Sequence, residues 1–191
     1  MRKILILSLL LLAGACEQTP IPPKPSISFE GAPYILNVAS IEVAQDYISS
    51  DQLPNVEKLS DIPPADAVKQ WVAARLVAGG KQGHAEVNIK DASITKTELA
   101  KKKTGIEGYF TNEQTEEYTG TLEVDIKIYI EHRVLPIATV HVSSHASRTL
   151  PENATLIDHK NMYHDISVEL MKSIEGPLDS NIREHFANYL M

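Results

Sequence analysis

Apolar and polar residues alternate most regularly between residues 121 and 131. There Leu122, Val124, Ile126, Ile128 and Ile130 interleave with Thr121, Glu123, Asp125, Lys127, Tyr129 and Glu131. A period of two gives a strand one buried face and one wet face. After a short turn over 131–136, Ile137 to Thr149 reads as a second strand with Ala138, Val140, Val142 and Ala146 inward, and the two are expected to pair as an antiparallel hairpin. A third strand is predicted from His84 to Leu99. Its inward residues run Ala85, Val87, Ile89 and then shift phase to Ala92 and Ile94, the mark of a bulge. Tyr34 to Val43 switches phase in the same way, from Leu36 and Val38 to Ile41 and Val43, and is expected to be a fourth strand bulged near Ala39 and Ser40.

Two stretches follow the helical period instead. Pro63 and Pro64 stand where a first helical turn tolerates proline, Val68, Trp71, Val72, Arg75 and Leu76 follow at helical spacing, and Gly79-Gly80 is a stop, so a helix is predicted over 63–78. Its Asp66 lies early and its Arg75 late, as the helix dipole prefers. From Asn161 to Leu190 a stripe runs through Tyr163, Ile166, Leu170, Ile174, Leu178, Ile182, Phe186 and Leu190. Gly176-Pro177 interrupts it, which predicts a kink or two consecutive helices. Asp51 to Asp61 reads as a polar loop, and no internal repeat is visible. The order of strand, helix, three strands and helix predicts an α+β fold: a two-layer sandwich of a four-stranded, mostly antiparallel sheet with helices on one face.

Composition narrows the picture. A chain of 191 residues, 43% hydrophobic and 23% charged, suits one domain of 34–191 plus appendages. The 18 Lys+Arg against 25 Asp+Glu include no Arg-rich stretch, which argues against nucleic acid as a partner. A single cysteine excludes a disulfide scaffold.

The first residues change the picture more. Met1-Arg2-Lys3 is a positive start, Ile4 to Leu12 is an apolar run broken only by Ser8, and Ala13-Gly14-Ala15-Cys16 closes it with small residues, the pattern of a signal peptide over 1–15. As a helix the run is about 14 Å long, against about 30 Å of hydrocarbon core, so it is too short for a stable span. The only cysteine stands at the cleavage point, and Leu12 to Cys16 resembles the lipobox of bacterial lipoproteins, with Ala13 where that family prefers Leu. The resemblance implies signal removal, a thioether-linked diacylglycerol on Cys16 and a further acyl chain, such as palmitate, on the new amino group. Several chains give durable anchoring where one does not. It also implies, through Glu17 in place of the Asp that often retains such proteins at the inner membrane, a location on the inner leaflet of the outer membrane facing the periplasm. The chain from Cys16 keeps 16 Lys+Arg against 25 Asp+Glu, a formal charge of −9. Residues 16–33 hold five of the eleven prolines and read as a tether. Some 15 residues of such chain reach roughly 40 to 45 Å at about 3.1 Å per residue.

Candidate chemistry is sparse. His141 and His145 share one face of a predicted strand, roughly 13 Å apart, too far for one metal ion on a straight strand. His159 and His164 flank Asp158 and Asp165 without a metal-binding motif. Serine-nucleophile, phosphate-loop and dinucleotide signatures are absent, and Glu116-Glu117 are adjacent carboxylates in a predicted loop. No cofactor, metal site or catalytic residue is therefore expected. The long connection Leu99 to Gly120 carries Lys101, Lys102 and Lys103 ahead of Tyr109 and Phe110, a candidate contact for phosphate headgroups or an acidic partner. The expected role is a non-enzymatic accessory lipoprotein that binds an envelope protein or lipid. The layout looks like that of small accessory lipoproteins in lipid or lipopolysaccharide transport. The alternatives are a metal-assisted periplasmic hydrolase using the histidines and a lipid carrier whose helix stripe lines a cavity.

Overall fold

The columns of apolar residues on 122–128 and 140–146 become the floor of one sheet. The computed structural model describes residues 27–100 and 113–191. In chain order its elements are β1 (Tyr34–Leu36), β2 (Ser40–Gln45), α1 (Pro64–Arg75), β3 (Leu76–Ala78), β4 (His84–Glu98), β5 (Gln114–Tyr129), β6 (Ala138–Pro151) and α2 (Leu156–His185). The main sheet has the order β2-β4-β5-β6, antiparallel except where β2 runs parallel to β4. Both helices lie on one face, as an α+β two-layer sandwich requires. The opposite face is a field of polar side chains in cross-strand pairs such as Glu86 with Lys127 and Asp125 with His141.

Between sheet and helices the core is filled. Leu122, Ile126, Ile128, Ile166, Leu170 and Ile182 are fully buried. Gly120 lets α2 approach: a Cβ there would stand 2.5 Å from Ile166 Cγ2 and 2.9 Å from Leu170 Cδ1. The expected bulge in β4 is present, since pairing with β5 shifts between Ile89 and Asp91.

Several expectations are corrected. Residues 34–43 are not one bulged strand but two strands in two sheets, β1 pairing parallel with β3 and β2 with β4. Between them Asn37 N–H donates to Tyr189 O, and Gly80 N–H to Val38 O. A Cβ on Gly80 would lie 2.5 Å from the Asn37 carbonyl carbon, so the close approach needs glycine. The phase switch thus marks a change of partner. The first helix ends at Arg75 because Leu76–Ala78 is drawn into the ladder with β1. β5 begins at Gln114, so residues 114–120 are strand where a loop was expected. The second of the two outcomes expected at Gly176-Pro177, two consecutive helices, does not occur: α2 runs through both, which are exposed, while Ile174 and Leu178 on either side are held in the core. It starts at Leu156 behind a capping box between Thr155 and Asp158.

The 51–61 loop is less polar in its setting than in its composition. It holds a 3-10 turn, Glu57–Leu59, in which Glu57 is 2% exposed. Its carboxylate accepts from Tyr47 Oη (2.7 Å), Ser49 Oγ and the Ile94 N–H (3.3 Å). Burial alone would raise this carboxyl, but those donors hold it below its usual value. The segment lies along β4, where Val56 N–H donates to Ile94 O and Lys96 N–H to Pro54 O. At the other end of the molecule Arg75, 1% exposed, donates to Ala32 O (2.8 Å) and Asp179 Oδ1 (2.7 Å), joining α1, α2 and the incoming chain. Ile27 and Phe29 already pack against the core upstream of it.

Candidate functional site

Polar chemistry gathers where β4 ends, β5 begins and α2 starts. Even-numbered residues of β5 face α2, so Glu116 stands one pleat beyond the buried Tyr118, and Lys96 is opposite Tyr118 in register. The first turn of α2 brings His159 over them, one turn before Tyr163. Glu116 Oε1 accepts from Lys96 Nζ (2.6 Å), and Oε2 accepts from Tyr118 Oη (2.7 Å) and His159 Nε2 (2.9 Å). The other ring nitrogen, His159 Nδ1, faces the Thr155 carbonyl at 2.8 Å.

These contacts decide what the cluster does. Burial pushes the Glu116 carboxyl up, but its three donors outweigh that and hold it down at about 2. The Thr155 carbonyl, against opposing burial and with help from Glu116, raises His159 above its ordinary value, because the imidazolium alone donates from both nitrogens. Burial first, and then the Glu116 carboxylate, raises the Tyr118 hydroxyl; burial also raises Tyr163. A carboxylate this acidic is a weak general base at neutral pH, and both nitrogens of the His159 ring are already engaged, by Thr155 O and Glu116. The cluster therefore orders the end of the sheet and fixes α2 upon it.

Two clefts open beside it. One, of ≈ 410 Å³, is lined by Leu59, Ala154, Leu156, Lys160 and Tyr163 beside His159. The other, of ≈ 590 Å³, lies on the β6 side between Leu150, Met162, Arg148 and Asp165. Leu59 and Leu156 are exposed at the first.

The remaining histidines are not brought together. His141 Nδ1 pairs with Asp125 Oδ1 at 2.7 Å and His145 Nδ1 with Thr121 Oγ1 at 3.3 Å, both on the open sheet face, whereas His159 is on the helix side. His164 Nδ1 is buried without a hydrogen-bond partner, and Asp158 is engaged in the α2 cap. Among the described residues no group of three or more His, Cys, Asp or Glu is placed to hold a metal ion. Glu116 and Glu117 point to opposite sides, Glu117 accepting from Ser147 Oγ at 3.1 Å. Cys16, Lys101, Lys102, Lys103, Tyr109 and Phe110 lie outside the described residues. Sequence reasoning missed Lys96, Tyr118 and Glu57 altogether. The pairing of Lys96 with Tyr118 depends on strand register, which a single chain does not display.

No known protein family matches the chain, and no curated protein does. Among solved structures it is similar to a minor lipoprotein from Acinetobacter baumannii, at 13% identity and TM-score 0.40 over 83% of this chain and 96% of that one. It is similar also to the rare lipoprotein B from Shewanella oneidensis (8% identity, TM-score 0.35, 74% and 92% covered). A third is an uncharacterized lipoprotein B from Nitrosomonas europaea (12% identity, TM-score 0.35, 84% and 97% covered). None of these names is that of an enzyme, and none of the likenesses assigns a role to a residue here. Among the described residues no helix is long and apolar enough to cross a membrane.

Proposed function

We propose that the chain is a lipid-anchored lipoprotein of the bacterial envelope, fixed through Cys16 to the inner leaflet of the outer membrane, whose periplasm-facing domain is a non-enzymatic binding module. It serves as an accessory in the transport or assembly of lipids or outer-membrane components. The anchor rests on the lipobox at Leu12 to Cys16. The carrying observation for the rest is the filled interior: Ile166, Leu170, Ile174, Leu178 and Ile182 are each at most 1% exposed, and Gly120 leaves no room even for a methyl group beneath them. A stripe packed in this way does not line a cargo cavity, so partners are met outside the core, at the clefts beside α2 and through Lys101, Lys102, Lys103, Tyr109 and Phe110.

Purification of the tagged chain from native membranes in mild detergent, with mass spectrometry of proteins and lipids, tests the reading. A diacylglyceryl mass on Cys16, release of Cys16→Ser into the soluble fraction and an envelope protein recovered near one to one are expected. Unchanged membrane association of Cys16→Ser would overturn the anchor. One lipid retained per chain by the soluble Cys16→Ser form would replace the binding module with a carrier.

A further inference from the structure

β6 is the last strand of the main sheet, and among the described residues no backbone group pairs with its outer side. Which groups point outward follows from the ladders. Leu99 N–H donates to Thr115 O and Ile137 N–H to Ile128 O, so odd-numbered residues of β5 turn their backbone groups to β4 and even-numbered ones to β6. In the register that sets Val124 against Val142 and Gly120 against Ala146, the even-numbered residues of β6 are engaged with β5. The N–H and C=O groups of Thr139, His141, Ser143, His145 and Ser147 therefore face away from the sheet, the Ser147 carbonyl accepting from Arg148 Nη1 at 3.3 Å, and all five residues are exposed.

Natural sheets blunt a bare edge with lysine, proline, a bulge, a short strand or a covering segment. β6 is 14 residues long, carries no lysine and has its proline only as its last residue. The one shift in its pairing lies at that same end, between Gln114 and Glu116. Beside the edge runs the ≈ 590 Å³ groove, with Leu150 and Met162 as its apolar lining and Arg148, Asp158, Asn161 and Asp165 at its mouth. Arg148 is paired with Glu169, which leaves Asp158 and Asp165 to set the sign of the mouth.

We infer that β6 is a docking edge for an extended peptide segment of a partner protein, which adds a fifth strand, places one bulky apolar side chain in the groove and sets basic residues against Asp158 and Asp165. The inference names the partner chemistry for the binding module and rests on that reading. Backbone groups in a row recognise another backbone, and alternate side chains then give specificity. A second copy of this chain is the poorer occupant. Pairing β6 antiparallel with itself sets the Leu150 end of one strand against the Ala138 end of the other, where alanine leaves the groove unfilled and offers no cation to Asp158 and Asp165.

The test uses the full-length chain in its native membranes. p-Benzoylphenylalanine replaces His141, His145 or Ser147 in turn, with Lys90 near the opposite edge as the control position. Adducts from all three β6 positions are expected on one continuous segment of one partner protein, advancing along it in step with the strand, and Lys90 gives none. Ser143→Pro removes an outward N–H and leaves the β5 ladder intact, so adduct yield falls about tenfold or more. Ser143→Ala leaves the yield unchanged. Retained amide protection at Val140, Val142 and Ser144 establishes that the proline variant is folded. Thr139→Lys, which charges the edge without altering the backbone, lowers the yield as well. Adducts joining two copies of this chain, adducts scattered over a partner, or full yield from Ser143→Pro each overturn the inference. A partner recovered one to one whose adducts avoid β6 overturns it while leaving the binding module standing; recovery of no partner overturns both.

Discussion

The outer side of β4 is covered by chain over much of its length: β2 follows it as far as Ile89, and the segment around Pro54–Val56 takes over beside Ile94 and Lys96. No backbone group of the described residues pairs with the outer side of β6, although the two strands are nearly equal in length, 15 and 14 residues. Propensity does not explain the difference, since both strands alternate and both bury their inner column. What differs is the material placed beside them. At the β4 edge the protein buries a carboxylate, satisfied by hydroxyls, the Asn55 side-chain amide and a backbone amide, to hold the covering segment down. Such a group is costly unless every partner is in place. The sheet thus ends on one side in the six-residue β2 and the segment that follows it, and on the other in the fourteen-residue β6.

The comparison is open to attack from its covered side first. Glu57→Ala leaves Tyr47, Ser49 and the Ile94 N–H without their acceptor and is expected to cost about 2–4 kcal/mol in urea unfolding. Hydrogen exchange at Ile94 and Lys96 should quicken in the same variant. A loss below about 0.5 kcal/mol, with those amides still protected, would show that the segment does not depend on the carboxylate.

A smaller effect is expected where α2 meets the sheet. Glu116→Gln is expected to cost about 1–2 kcal/mol and to lower the His159 pKa toward its ordinary 6.5, read by proton NMR titration. The pH dependence has two limbs. Glu116 is depressed from 4.5 to about 2, so its contribution is present above 4.5 and lost as pH falls toward 2. His159 is raised, so its contribution is present below 6.5 and lost as pH climbs through its folded value. The contact is worth most between about pH 4.5 and 6.5, and the variant's stability difference from the wild type should narrow on both sides. A difference that stays flat from pH 3 to 9 would remove the ion pair from the account.

The smallest effect falls on the bare edge. Ser143→Pro should cost less than about 1 kcal/mol, whereas Thr121→Pro, on the interior strand, removes a ladder bond and should cost about 3 kcal/mol. Equal losses would mean that the outward amides of β6 already have a partner.

Much of this architecture can be read directly from periodicity. The inner columns of β5 and β6, the stripe of α2 and the bulge in β4 each repeat a spacing long enough to exclude the alternatives. Residues 34–43 mislead because an inserted residue and a change of sheet leave the same phase switch in one dimension. Leu76 continues the apolar spacing of α1 and so hides the point at which helix becomes β3. Glu116 was visible only as the neighbour of Glu117, because its contact with His159 spans 43 residues and its contact with Lys96 depends on hairpin register. Glu57 sits in a stretch whose composition is that of a loop, and nothing local announces that its carboxylate turns inward.

Arg75 has a mechanical consequence. Any pull on the chain ahead of the domain would enter it through Ile27 and Phe29, which pack against the core. That pull reaches Ala32, clasped by the Arg75 guanidinium, before it reaches Tyr34 and the first ladder. Asp179 on the far side of the same guanidinium passes the load to α2. The guanidinium thus ties the incoming chain to both helices at one point, ahead of the first ladder.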